Sequence, residues 1–138
     1  MISISRQLPL ILLSAGLLLG SSCVGPRSQP VSGASNEKYW LGTYSANFNS
    51  SLFLLDKAVR AACKRAKLIE VQRINKANSC IYHYKDVDQV KTKIEVVEKS
   101  LENCRVNIHV GQTGCKVSSQ QLLLAIDDEL RILQNSQY

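Results

Sequence analysis

The sequence predicts an α+β fold, an antiparallel sheet of about five strands with two helices packed on one face. Three observations predict it. Five segments alternate apolar and polar residues at a period of two, two longer stretches repeat apolar residues at steps of three and four, and the later strands follow one another through short turns. The chain has 138 residues, 116 of them beyond position 22, which is room for one domain and one modest core. That domain is expected over residues 39–134, with 135–138 frayed.

Arg6 precedes an uncharged apolar run over residues 8–19, and Gly20-Ser21-Ser22-Cys23 follows it. A positive start, an apolar middle and a small-residue end are the layout of a secretory signal peptide, here residues 1–22. About a dozen apolar residues fall short of the roughly 20 that a membrane-spanning helix needs. Residues 25–37 hold two prolines, two glycines and three serines, with only Val31 and Ala34 apolar. Such a stretch has too little to bury, so residues 23–38 are expected to be a flexible tether holding the domain roughly 20 Å from its attachment point.

Ser21-Ser22-Cys23 resembles the lipobox of bacterial lipoprotein precursors, although Gly20 stands where that motif usually has leucine and Leu19 lies one place earlier. The resemblance implies that Cys23 is lipidated by a thioether-linked diacylglycerol, that the leader is cut before it, and that the new amine is acylated. Two or three chains anchor stably, since each buried CH2 contributes about 0.8 kcal/mol. Val24 in place of Asp implies, by the same resemblance, a position in the bacterial envelope at the outer membrane, facing the periplasm. Ordinary cleavage that leaves Cys23 a spare thiol is the other outcome of such a leader.

Residues 38–48 alternate, with Trp40, Gly42, Tyr44, Ala46 and Phe48 on one face, and form the expected first strand. Asn49-Ser50-Ser51 supplies helix-capping side chains. Leu52, Leu55, Val59, Ala62, Cys63 and Ala66 then recur at helical spacing and turn Cys63 toward the core. Lys57, Arg60, Lys64 and Lys67 share the opposite side, either as a basic ridge for anionic lipid or polymer or as a solvated face with cations near the negative end of the helix dipole.

Strands are expected over residues 68–74, 80–85, 90–99 and 104–110, with Asp86 and Asp88 in a hairpin turn where Asp bonds its own backbone. His109 points away from the apolar side of the last strand. The closing helix is expected over 118–133, with a capping box of Ser118 and Gln121, a buried stripe of Leu123, Ile126, Leu130 and Leu133, and Asp127, Asp128 and Glu129 solvated.

Without Cys23 four cysteines remain, and an even set in an exported chain favours disulfides. If helix and strands alternate in direction, Cys80 and Cys104 fall at one end of the sheet, and Cys63 and Cys115 at the other. The expected pairs are therefore Cys63–Cys115 and Cys80–Cys104, against the alternative of buried free thiols. No pair forms a CxxC motif, and neither His83 nor His109 stands at a ligand spacing from a cysteine, so no metal or other cofactor is expected.

Gly111-Gln112-Thr113-Gly114-Cys115 before Ser119 and paired leucines resembles the turn of a family of small bacterial lipoproteins with a domain of unknown function. The likeness spans roughly residues 39–133 and implies the same order of strand, helix, meander and closing helix; Cys115 stands where that family has Asp. The formal charge is +6, of which +5 lies beyond residue 22, and no nucleic-acid motif accompanies it. The expected function is a lipid-anchored envelope protein acting as a non-catalytic binding or structural module, with membrane lipid held through Cys23. The alternatives are a small periplasmic thiol enzyme or redox protein using Cys115, or an accessory subunit of an envelope transport or assembly complex.

Overall fold

A computed structural model describes residues 33–136; Cys23, the leader and most of the expected tether lie outside the described residues. The elements are β1 (Ala34–Trp40), β2 (Thr43–Phe48), α1 (Leu52–Arg65), β3 (Ile69–Asn75), β4 (Ser79–Lys85), β5 (Lys91–Ser100), β6 (Asn103–Val110) and α2 (Lys116–Asn135). All neighbours pair antiparallel in one six-stranded sheet of order β1-β2-β6-β5-β4-β3.

The sixth strand comes from the region expected to be one strand. Leu41 and Gly42, at φ 50° and 83°, make a two-residue turn that folds β1 back on β2 and pairs Trp40 with Thr43. Positive φ at both central positions gives the hairpin a twist matching that of its strands. The tether is shortened as well, because residues 34–38, expected to be flexible, are paired in β1.

Tyr44, Ala46 and Phe48 of β2, Cys104, Val106 and Ile108 of β6, Ile94 and Val96 of β5, and Tyr82 and Tyr84 of β4 line one side of the sheet. Against them pack Leu55, Val59, Ala62 and Cys63 of α1 and Leu122, Leu123, Ile126 and Leu130 of α2, so both helices cover the same face, as expected. Helix α1 starts where Ser51 Oγ accepts from the Leu54 amide at 3.3 Å, which ties up one of the orphan amides of its first turn. It stops at a left-handed Lys67, where the Leu68 amide reaches back to the Cys63 carbonyl at 2.9 Å.

Helix α2 begins two residues earlier than expected. Cys115 rather than Ser118 is its cap residue, and Ser118 sits inside the first turn. Asp127, expected in solvent, is 1 % exposed and bonded to Arg131, and Glu129 pairs with Arg65 of α1 at 3.1 Å. Of the three acids only Asp128 is on the outside.

The β1–β2 turn leans on the loop before α2. A Cβ on Gly114, whose φ is +93°, would lie 2.3 Å from the Gly42 Cα, and one on Gly42 would lie 2.5 Å from the Thr113 carbonyl oxygen. Two backbones meet here with no side chain between them. Both edges of the sheet are irregular, with register shifts between Ser35 and Lys38 in β1 and between Glu70 and Gln72 in β3.

Candidate functional site: the uncovered sheet face

Strict alternation sends every second side chain of these strands to the side without helices. The ladder register places Gln72, His83, Lys93, His109, Thr43 and Trp40 in one row across all six strands. Beside it runs a second row, Ile74, Ile81, Glu95, Asn107, Ser45 and Lys38. Lys85 and Lys91 pair beyond the first row, and Arg105 pairs with Asn47 and Val97 beyond the second.

This face therefore carries Lys38, Lys85, Lys91, Lys93 and Arg105, two histidines, and Glu95 as its carboxylate. Among the described residues the ion pairs lie on the helix side. Among the described residues, Asp56 pairs with Arg60 and Arg73, Glu129 with Arg65, and Asp127 and Asp128 with Arg131, and no such pair involves a cation of the uncovered face.

A cleft of about 140 Å³ opens at the centre of the face, lined by Thr43, Lys93, Glu95, Asn107 and His109. Asn107 Nδ2 donates to Glu95 Oε1 at 3.2 Å, and Arg105 Nε donates to Asn107 Oδ1 at 3.3 Å. His109 Nε2 lies 3.4 Å from the Gln112 carbonyl oxygen, which can only accept, so the neutral ring carries its proton there. Nδ1 is then the acceptor for the Thr43 hydroxyl, 3.3 Å away. The cleft presents both donors and acceptors, whereas its surroundings are cationic.

The basic ridge expected on α1 is partly spent on the fold. Arg60 bonds Asp56 at 3.0 Å, and Lys57 Nζ lies 4.4 Å from the Phe53 ring centroid. A second cavity, about 420 Å³, lies where the start of α1 meets the β3–β4 and β5–β6 hairpins, with Asp56, Asn75, Cys80 and Glu98 in its wall. Three of these groups are already partnered: Asp56 accepts from Tyr82 Oη at 2.5 Å, and the Cys80 thiol donates to Asn75 Oδ1 at 3.0 Å. Asp56 carries no signal in the sequence, since an acid four residues before Arg60 reads as an ordinary helix-surface pair.

The expected disulfides are not formed, and Cys63, Cys80, Cys104 and Cys115 are all free. Cys80 on β4 and Cys104 on β6 are separated by the whole of β5. Two strand spacings are about 10 Å, beyond the roughly 7 Å that a bridge can span. Cys63 is buried on the inner side of α1 beside Tyr84, and burial pushes its thiol up to about 12. Cys115 is exposed at the head of α2, where its Sγ lies 3.3 Å from Ser118 Oγ. Hydrogen bonding from Ser118 and from the first amides of the helix lowers the Cys115 thiol below its usual value.

Both nitrogens of His109 are engaged, by Thr43 and Gln112, and the Cys115 thiol is bonded to Ser118. Maleimide at neutral pH is expected to label Cys115 alone among the four domain cysteines of the native protein, and all four after denaturation. A second thiol labelled at a comparable rate in the native state would contradict the burial of the other three.

Among the described residues no helix is long and apolar enough to cross a membrane, and no three His, Cys, Asp or Glu side chains are grouped to hold a metal ion. A family model described as protein of unknown function (DUF3568) matches residues 7–129. No curated protein matches the chain.

Proposed function

The chain belongs to the DUF3568 family, which has no assigned chemistry to lend, and we propose from its surface that it is a lipid-anchored envelope protein, a non-catalytic module that binds an anionic polymer on its uncovered sheet face. One observation carries this reading: five cations and two histidines share that face with a single carboxylate and, among the described residues, form no ion pair, while Asp56, Asp127, Asp128 and Glu129 of the helices are paired. Like charges gathered on neighbouring strands repel one another, so the arrangement costs stability unless an outside anion offsets it. Two copies pressed face to face would double that repulsion, which argues for a different partner. The lipobox-like Ser21-Ser22-Cys23 supports anchoring at Cys23, with the membrane as second partner.

A thiol enzyme using Cys115 finds less support, because the partner of that thiol is the Ser118 hydroxyl, which is not a general base, and Cys115 lies outside the basic face.

The test is binding of the full chain to a soluble polyanion such as polygalacturonate, with a Lys93→Glu, Arg105→Glu double variant beside it. Two cations of the face are reversed, a change of four units of charge, and affinity is expected to fall at least about 30-fold at low salt, the gap narrowing as salt screens it. An unchanged affinity overturns the assignment of the face. Mass spectrometry of the mature amino terminus is expected to show acyl chains on Cys23 that vanish in Cys23→Ser, and an unmodified Cys23 would remove the anchor.

A further inference from the structure

We infer that the anionic partner is a glycan bearing acid groups, a uronate-type polysaccharide, seated along the row from Trp40 to Lys93. This rests on the reading of the uncovered face as a polyanion surface and adds the chemistry between the charges.

The first observation is Glu95. Its carboxylate stands in the wall of the central cleft, between cations that would otherwise make a uniform anion surface. An ionised phosphate polymer or lipid headgroup offers acceptor oxygens and meets Glu95 as a like charge. A sugar strand offers hydroxyl protons for Glu95 and the Thr43 oxygen, and oxygens for Asn107 and Lys93. The cleft is lined by both kinds of group, which suits hydroxyls and is wasted on a bare oxyanion.

The second observation is Trp40, 64 % exposed at the end of the same row. Lys38 Nζ lies 5.8 Å from its ring centroid. An indole left in water on a polar face loses free energy that a flat apolar partner restores, and the C–H face of a sugar ring is such a partner. From Trp40 to Lys93 is three strand spacings, about 14 Å, the reach of a short run of sugar rings. Lys85 and Lys91 on one side of the cleft and Arg105 on the other bracket that run, where carboxylates carried by the strand would meet them.

The experiment compares polygalacturonate, inorganic polyphosphate and phosphatidylglycerol vesicles at one salt concentration, using full-chain Cys23→Ser so that no anchor contributes. Polygalacturonate is expected to bind most tightly. Glu95→Gln should weaken polygalacturonate about tenfold by removing a charged acceptor, and strengthen polyphosphate severalfold by removing a repulsion. Trp40→Ala should cost about tenfold on polygalacturonate and leave polyphosphate unchanged; the side chain is exposed at a sheet edge, so the fold survives its loss. Tightening of both polymers by Glu95→Gln, indifference of polygalacturonate to Trp40→Ala, or preference for polyphosphate or vesicles would each overturn the glycan and leave the polyanion surface standing. Failure of every probe to bind overturns the polyanion reading, and this inference with it.

Discussion

Gly114→Ala is expected to lower stability by about 3–4 kcal/mol, the sum of overpacking against a backbone and a strained positive φ. The new Cβ would sit 2.3 Å from both the Cα and the carbonyl oxygen of Gly42, and neither is the end of a side chain that could swing away. For a domain of this size the midpoint of thermal unfolding should drop by about 12–25 °C. Gly42→Ala strikes the same contact from the other side, meeting the Thr113 carbonyl at 2.5 Å and the His109 ring at 2.8 Å. The double variant should therefore lose less than the two single variants added together. A Gly114→Ala midpoint within about 5 °C of wild type would mean that the turn and the loop do not touch.

Alkali is expected to unfold the domain between about pH 9 and 12, because the fold holds several thiols and phenols in their protonated form. Burial raises Cys63 from 9.0 to about 12, with the charge of Glu70 adding to it, and burial raises Cys104 to about 11. Burial and the bond to Glu37 raise Tyr44 from 10.0 to about 12, and burial together with Asp56 pushes Tyr82 higher still. Each folded value lies above its unfolded one, so the native state keeps a proton that the unfolded chain releases. The stabilisation is complete below the unfolded pKa and disappears as pH rises through the folded one. For Cys63 alone three pH units correspond to about 4 kcal/mol, close to the whole stability of a small domain. Denaturant unfolding measured across this range should show free energy falling with pH, with tyrosinate absorbance appearing in the same step as helix loss. A flat profile to pH 12 would contradict the burial of these groups.

The two-helix, one-sheet architecture was legible because its signals are periodic. Tyr44, Ala46 and Phe48, Leu55, Val59 and Cys63, and the alternation of β6 all face the core as the spacing says. The hairpin at Leu41-Gly42 was not legible. Leu is a poor residue for a left-handed turn position, nothing marked the turn, and the alternation of residues 38–48 runs through it without a break. That one miss moved Trp40 from the expected inner face to the outer one and so hid the aromatic end of the candidate site. The row joining Trp40, Thr43, His109, Lys93 and His83 draws on five strands, and only register brings such residues together. The disulfide expectation failed for a related reason. Sorting cysteines by end of the sheet ignores lateral order, and β5 stands between Cys80 and Cys104. Asp127 misled because the polar side of a helix is not always wet; here Gly33 comes down over it, with a Cβ position only 2.6 Å from its Oδ1.

The register shifts in β1 and β3 matter most if the molecule is crowded at a surface. Proteins gathered in two dimensions collide far more often than when free in solution, and straight outer strands would zip into growing ribbons. A one-residue kink on each flank throws any incoming strand out of step within a few residues, so a dense coat of these domains should stay a coat of separate particles.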